Sequence, residues 1–197
     1  GNKYSCEKLR EDNDAIGIYF SAHWCPPCRG FTPALVDSYK KMTDGGKKWE
    51  IIFASSDRSE KDFAEYFGEM PWKSLDMGDE RKDELDAMFE VSGIPTLVVI
   101  DAKTGKVITK GGRAKVDADP EGAEFPWHPK PVADLAASAD GINETPALVL
   151  FMEDEAEEKQ GELQALVEAL AEARKPASGE SRELLFFTSK QAGGRVG

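Results

Sequence analysis

Two cysteines separated by two residues, Cys25 and Cys28, are the strongest chemical signal in the sequence. An apolar run at 16–22 precedes them and predicts a buried strand, while the residues after them have helical spacing. The pair therefore stands where a helix begins, where free N–H groups and a partial positive charge stabilise a thiolate. We expect the pKa of the Cys25 thiol to fall from ~8.5 towards the ~3.5–7.5 range of such motifs.

The two prolines between the cysteines, Pro26 and Pro27, suit a first helical turn, because proline there loses no needed N–H bond and its φ is already helical. Cys28 lies one turn further on, close to Cys25 but more shielded. This arrangement predicts a reversible disulfide: the Cys25 thiolate attacks a target disulfide, and Cys28 then attacks Cys25 and releases the reduced target. We predict that Trp24 and Trp72 form an apolar rim that docks the partner chain.

A zinc site is an alternative interpretation of the same region. Four ligands are available on paper, from Cys6, Cys25, Cys28 and either His23 or His128. A zinc knuckle usually needs a second pair of ligands at close spacing, and two prolines inside the knuckle are unexpected, so we expect no metal. A purely structural disulfide is the other alternative, and it would be unusual in a reducing compartment.

Charge and composition narrow the classes of partner. The chain has 197 residues and a formal net charge of −12, which argues against a nucleic-acid binder and against an anionic membrane surface as the main partner. No apolar run approaches the ~18 residues needed to cross a bilayer. Three cysteines do not make a disulfide scaffold. We expect a cytoplasmic or nuclear protein, and the absence of an initial methionine and of an apolar signal core indicates a piece of a longer chain.

The remaining pattern predicts an α/β protein with one sheet domain and the start of another. Strands are expected at 16–22, 49–55, 96–100 and 107–109, with helices between the first three. The first two strands should be parallel, and the last two should form an antiparallel hairpin. A proline-rich segment at 125–131 ends this domain. A strand at 147–152, a helix, a loop at 175–181 and a strand at 183–188 then predict a second sheet domain that is cut off midway.

The segment 19–29 (YFSAHWCPPCR) resembles the tryparedoxin and nucleoredoxin branch of the thioredoxin-like proteins. The segment 94–96 (IPT) resembles the thioredoxin-fold loop whose proline is cis and faces the cysteine pair, and the segment 125–131 (FPWHPKP) is similar to the same branch. The resemblance implies a thioredoxin-like fold, with a central mixed sheet flanked by helices, as a catalytic domain over residues 1–131. It also implies a linker over 132–145 and a truncated second thioredoxin-like domain without Cys-x-x-Cys over 146–197.

The resemblance also implies residue roles. Cys25 is the nucleophile and Cys28 the resolving thiol, while a cis Pro95 and the backbone of Ile94 border the substrate groove. Arg113 matches an arginine of tryparedoxins that is implicated in binding a glutathione-type substrate; alternatively, it is a solvated charge at the end of a strand. The predicted substrate-binding residues are Trp24, Pro26, Pro27, Trp72, Ile94, Pro95 and Arg113.

The sequence departs from ordinary thioredoxins at Tyr19, six residues before Cys25. Thioredoxins have a buried aspartate there that moves protons for the resolving cysteine. Tyrosine is not a carboxylate, so the resemblance does not supply the proton acceptor. Water or another carboxylate would have to serve in its place.

Together these features predict a protein-disulfide reductase that cycles between the dithiol and the disulfide of Cys25 and Cys28. The sequence has no Gly-rich dinucleotide motif and no P-loop, so we expect no bound cofactor and electrons from an external reductase or a small thiol. Two alternatives stay open. One is a redox-sensitive scaffold that binds signalling proteins, and the other is a tryparedoxin proper, fed by a glutathione-type dithiol.

Overall fold

The computed structural model describes residues 5–137, 139, 142, 145–175 and 183–191. The chain divides into two compact units, Gly1–His128 and Pro129–Gly197. The division falls inside the proline-rich segment 125–131, so the first unit ends slightly before the predicted limit at 131.

The first unit is a five-stranded mixed sheet flanked by helices, which confirms the predicted fold class. Its sheet order is β3-β2-β1-β4-β5; β1, β2 and β3 are parallel, β4 runs antiparallel to β1, and β5 antiparallel to β4. The strands are β1 (Ala15–Ser21), β2 (Trp49–Ser55), β3 (Lys73–Ser74), β4 (Thr96–Asp101) and β5 (Val107–Thr109). The helices are α1 (Cys6–Asp12), α2 (Pro26–Asp44), α3 (Glu60–Phe67), α4 (Arg81–Phe89) and α5 (Gly112–Ala118).

Strand β1 is the centre of the sheet and is buried along its whole length. Side chains alternate between the two faces of a strand, so Tyr19 packs into one core and Ile18 and Phe20 into the other. A strand buried on both faces reads as a continuous apolar run, and such a run at 16–22 is what made β1 predictable. Helix α2 begins five residues after the end of β1, so Cys25 lies at the start of that helix.

Three elements of this unit were missing from the sequence prediction: α1, β3 and α5. Helix α1 buries none of its residues, and α5 buries only Gly112 and Val116, so neither has an apolar stripe that a sequence pattern would show. Strand β3 has two residues, too few for an alternating pattern.

Gly112 lies where α5 packs closely against strand β4. A Cβ atom there would lie 2.6 Å from the carbonyl oxygen of Leu97 and 2.8 Å from its Cγ. We expect Gly112→Ala to lower the free energy of unfolding by about 1–3 kcal/mol, because α5 must move away from β4. Urea titration of the two proteins measures the difference. Gly30→Ala is the matched control: its Cβ would meet no atom within 4 Å, so it should stabilise helix α2 by about 0.5–1 kcal/mol. Equal stability of Gly112→Ala and the wild type would contradict the prediction.

The carboxylate of Asp119 organises the loop that closes the first unit. It accepts the backbone N–H groups of Ala123 and Glu124 at 2.8 and 2.9 Å and the indole N–H of Trp127 at 3.0 Å. Burial alone would raise the pKa of Asp119, but these hydrogen bonds outweigh it and hold the pKa below its ordinary value of 3.8. The stabilisation is therefore complete above about pH 4 and is lost as the pH falls through the lower folded pKa.

We expect Asp119→Asn to destabilise the protein by about 1–2 kcal/mol at pH 7. The difference from the wild type should shrink as the pH falls from about 4 towards 2, because the wild-type carboxylate then becomes protonated. Unfolding by urea at a series of pH values tests this. Asp117→Asn, which removes an exposed carboxylate from helix α5, is the control; a difference between Asp119→Asn and wild type that stays constant with pH would refute the assignment.

The described residues of the second unit form a three-stranded parallel sheet and one helix. They comprise β6 (Ala133–Asp134), β7 (Ala147–Phe151), α6 (Glu157–Ala173) and β8 (Leu185–Ser189), in the strand order β6-β8-β7. Its core contains Val132, Val167, Ala171 and Phe186. The predicted linker over 132–145 needs correction, because Ala133 and Asp134 pair with β8 and so belong to this sheet.

Helix α6 buries Val167 and Ala171, while Leu166 and Leu170 on the same helix are 67% and 41% exposed. The loop predicted at 175–181 lies, apart from Lys175, outside the described residues. In the part of the chain that the structure describes, no helix is both long enough and apolar enough to cross a bilayer.

Candidate active site

Cys25 and Cys28 are joined by a disulfide at the start of α2, with their Cα atoms 5.2 Å apart. Cys25 is the N-cap of the helix, and its Sγ accepts the backbone N–H of Cys28 at 3.3 Å. Pro26 and Pro27 occupy the first two helical positions and have no N–H to offer. The helix therefore presents the Cys28 N–H, together with its dipole, to the sulfur of Cys25.

The loop before β4 covers the disulfide. The peptide bond between Ile94 and Pro95 is cis, as the resemblance implied. The carbonyl oxygen of Ile94 lies 3.8 Å from the Sγ of Cys25, and the Ile94 side chain packs against a small cluster formed by Ala22 and both cysteines. Cys25 is 3% exposed and Cys28 is fully buried, so the disulfide presents very little surface to solvent.

Trp24 stands beside the disulfide and is half exposed, at 51%. Its indole N–H donates to the carbonyl oxygen of Ser56 at 2.9 Å, and the guanidinium of Arg58 lies 5.2 Å from the centroid of its ring. These two contacts fix the ring on the surface. With the exposed Pro26 and Pro27, Trp24 makes an apolar surface around the buried Cys25.

Trp72 does not belong to this surface, and the prediction that it forms part of a docking rim is wrong. It is 4% exposed and lies in the main core, where its ring packs edge-to-face on Tyr19 and Tyr39 at 6.2 and 5.5 Å. It comes directly before the edge strand β3, which pairs with β2. The side chain is therefore turned inward, and its indole N–H has no hydrogen-bond partner among the described residues.

Arg113 lies in the first turn of α5, and its guanidinium is 5.7 Å from the centroid of the Phe31 ring. Phe31 is on α2, three residues after Cys28, so the arginine stands next to the active-site helix. The side chain is exposed. Its role in binding a substrate stays a prediction.

The zinc alternative is not favoured by the positions of the cysteines, because Cys25 and Cys28 are bonded to each other and Cys6 is free and exposed. Among the described residues, the group whose ligand atoms lie within 4.8 Å of one another is His23, Asp62 and Glu65, and it contains no cysteine. The imidazole of His23 stacks on the ring of Tyr66, with the centroids 5.5 Å apart.

A cluster of four buried hydroxyl groups lies beneath the start of α2, and the sequence prediction missed it. Its members are Tyr19, Ser21, Thr32 and Tyr66, each no more than 1% exposed. Burial raises the pKa of the Tyr19 hydroxyl well above its ordinary value. The sequence shows Tyr19 as a departure from thioredoxins, but no spacing links it to Tyr66, because Tyr66 joins the cluster through the packing of α3.

The fold and the disulfide at the head of α2 agree with a comparison against known families. A family model described as thioredoxin-like matches residues 13–107. The chain belongs to the thioredoxin-like family, in its tryparedoxin and nucleoredoxin branch.

Individual relatives match different lengths of this chain. Tryparedoxin from Trypanosoma brucei brucei is 48% identical over 114 residues, which cover 57% of this chain and 78% of that protein. Nucleoredoxin from Mus musculus is 45% identical over 193 residues, 95% of this chain, but this chain spans only 44% of its length. A solved structure of tryparedoxin II complexed with glutathionylspermidine is 39% identical with a TM-score of 0.60, covering 64% of this chain and 87% of that one.

Proposed function

We propose that this chain is a thiol–disulfide oxidoreductase that reduces protein disulfides with the dithiol of Cys25 and Cys28. The observation that carries the proposal is the disulfide between these residues at the N-terminus of α2. The two cysteines therefore lie close enough to pass between the bonded and the reduced state, and one of them receives a helix N–H that stabilises an anion.

The reaction has two displacement steps. In the reduced protein, the Cys25 thiolate attacks one sulfur of the target disulfide; a bond forms between Cys25 and the target, and the other target sulfur leaves as a thiolate that takes a proton from water. Cys28 then loses its proton to water and attacks the Sγ of Cys25. The bond between Cys25 and Cys28 forms, the second target sulfur leaves, and two electrons have passed to the target.

The surface around the disulfide is the proposed substrate site. Trp24, Pro26 and Pro27 offer exposed apolar area next to Cys25, and Ile94 and Pro95 form the opposite wall. Because Cys25 itself is almost fully buried, a partner must place its disulfide between these two walls. Signalling proteins that carry an accessible disulfide are among the partners that we propose.

The electron donor is proposed to be a small thiol of glutathione type or an external reductase. The structural similarity to a tryparedoxin complexed with glutathionylspermidine supports the first of these, and the position of Arg113 next to α2 supplies a cation for a substrate carboxylate. A reducing compartment, cytoplasmic or nuclear, is proposed because Cys6 is a free, exposed thiol.

The second unit is proposed to be part of a second thioredoxin-like domain. Its parallel strands and the packing of α6 on them support this, as does the similarity to nucleoredoxin over 95% of the chain. The sequence has no cysteine beyond Cys28, so all thiol chemistry of the chain belongs to the first unit.

A single-turnover experiment tests the proposal. The protein is reduced with dithiothreitol, freed of reductant, and mixed with an excess of insulin or of a peptide with one disulfide. We expect one equivalent of target disulfide to be reduced for each protein molecule, with Cys25 and Cys28 recovered as a disulfide by mass spectrometry. Regeneration of the oxidised protein by glutathionylspermidine, or by NADPH with thioredoxin reductase, then separates the two donors. No transfer to either target would refute the proposed function.

A further inference from the structure

The four buried hydroxyl groups beneath α2 form a closed ring of hydrogen bonds. Thr32 Oγ1 is 2.8 Å from Tyr19 Oη and 2.5 Å from Tyr66 Oη, and Ser21 Oγ is 3.0 Å from each of the same two phenol oxygens. Thr32 also donates to the backbone carbonyl of Cys28 at 3.0 Å. Thr32 is therefore the junction between the ring and the resolving cysteine.

The ring has fewer protons than hydrogen-bond contacts, so Thr32 has two alternative acceptors. The four hydroxyls carry four protons, but they take part in five contacts, namely four within the ring and the one to Cys28. When Thr32 donates to Cys28, one contact within the ring has no proton. When Thr32 donates to Tyr66 instead, the order runs from Tyr19 to Thr32, Tyr66, Ser21 and back to Tyr19, and every ring contact is satisfied.

The ring can therefore hold the Cys28 carbonyl or release it, without leaving any buried hydroxyl unpaired in either case. An unpaired buried polar group costs about 1–3 kcal/mol. A hydroxyl left unpaired would therefore oppose any movement of the first turn of α2. Cys28 has to occupy different positions when it is bonded to Cys25 and when both sulfurs are reduced, since the two sulfurs cannot stay at bonding distance without the bond.

We propose that Thr32, at the centre of this hydroxyl ring, is a positioning residue that orients Cys28 for its attack on Cys25 in the mixed disulfide. The inference rests on the proposed function. The step itself is the second displacement described above: Cys28 gives its proton to water, its sulfur bonds to Cys25, and the target thiolate leaves. The ring supplies orientation, and it remains neutral, because burial disfavours ionisation of Tyr19.

The test separates the two displacement steps. Stopped-flow measurement with a fluorescent disulfide peptide gives the rate of mixed-disulfide formation by Cys25 and the rate of its resolution by Cys28. We expect Thr32→Val, which keeps the shape and removes the hydroxyl, to slow resolution about tenfold and to change the first step less than twofold. Thr32→Ser keeps the hydroxyl and should resolve within about twofold of the wild type.

Thr43→Val is the matched control. Thr43 lies on the same helix and makes the same kind of hydrogen bond, to the carbonyl oxygen four residues earlier, on Tyr39 at 2.8 Å. We expect it to leave both rates unchanged. If Thr32→Val does not fold, as judged by circular dichroism, Tyr19→Phe decides, because it removes another ring hydroxyl and should slow the same step.

Three results would overturn the inference: resolution by Thr32→Val at the wild-type rate, equal slowing by Thr32→Ser and Thr32→Val, or equal slowing of both displacement steps. Failure of the proposed function gives a different result, because the wild-type protein would then form no mixed disulfide with the peptide, and both conclusions would fall together.

Discussion

Replacement of Cys25 by serine is expected to abolish disulfide reduction, with a loss of at least ~10³-fold in rate. A serine hydroxyl at the head of α2 can accept the Cys28 N–H as the sulfur does, but it cannot form a bond with a target sulfur under these conditions. Reduction of insulin, followed by turbidity, measures the effect. Substantial activity in Cys25→Ser would mean that another thiol carries the reaction.

Cys28→Ser is expected to behave differently, because it keeps the first displacement and loses the second. The variant should therefore accumulate the mixed disulfide between Cys25 and the target, visible on non-reducing gels and released by dithiothreitol. Cys6→Ser is the control: Cys6 is exposed on α1, outside the cluster formed by Cys25, Cys28 and Ile94, and its loss should leave turnover unchanged. A mixed disulfide formed equally well by Cys25→Ser would contradict the assignment of the nucleophile.

The parts of the fold that the sequence predicts are those that local patterns determine. Strands β1 and β2 are predominantly apolar and largely buried, and the sequence pattern predicts their limits to within one residue. The disulfide was predictable for the same reason. A strand, two cysteines with prolines between them and a helical repeat follow one another directly, so their relative positions depend on few long-range contacts.

The parts that could not be predicted depend on long-range packing. Trp72 is as apolar as Trp24 and also lies next to a strand, and only the pairing of β3 with β2 shows that it is turned into the core. The hydroxyl ring joins residues of β1, α2 and α3, including the hydrogen-bonded pair Ser21 and Tyr66 that lie 45 positions apart, and no spacing rule links them. The two-residue strand Ala133–Asp134 is too short to show an alternating pattern, and only its pairing with β8 identifies it as a strand.

In the reduced protein, the thiols of Cys25 and Cys28 are expected to differ strongly in their rates of alkylation. We expect iodoacetamide to alkylate Cys25 at least ~100-fold faster than Cys28 at pH 7, with a midpoint in the pH profile clearly below the ~8.5 of an ordinary thiol. Peptide mapping by mass spectrometry after a short exposure measures both rates. The selectivity follows from position: Cys25 is at the edge of the surface formed by Trp24 and the two prolines, whereas Cys28 is fully buried.

The size of the shift in that midpoint depends on two opposing groups. The Cys28 N–H and the dipole of α2 stabilise the Cys25 anion. Pro26 and Pro27 contribute no N–H, so of the first three helical residues only Cys28 offers a backbone donor. The carbonyl of Ile94, near the same sulfur, favours the protonated thiol instead. Replacing both prolines by alanine would restore two N–H groups, and we expect it to move the alkylation midpoint of Cys25 further down in pH. An unchanged midpoint would mean that the helix N–H groups do not set the reactivity of Cys25.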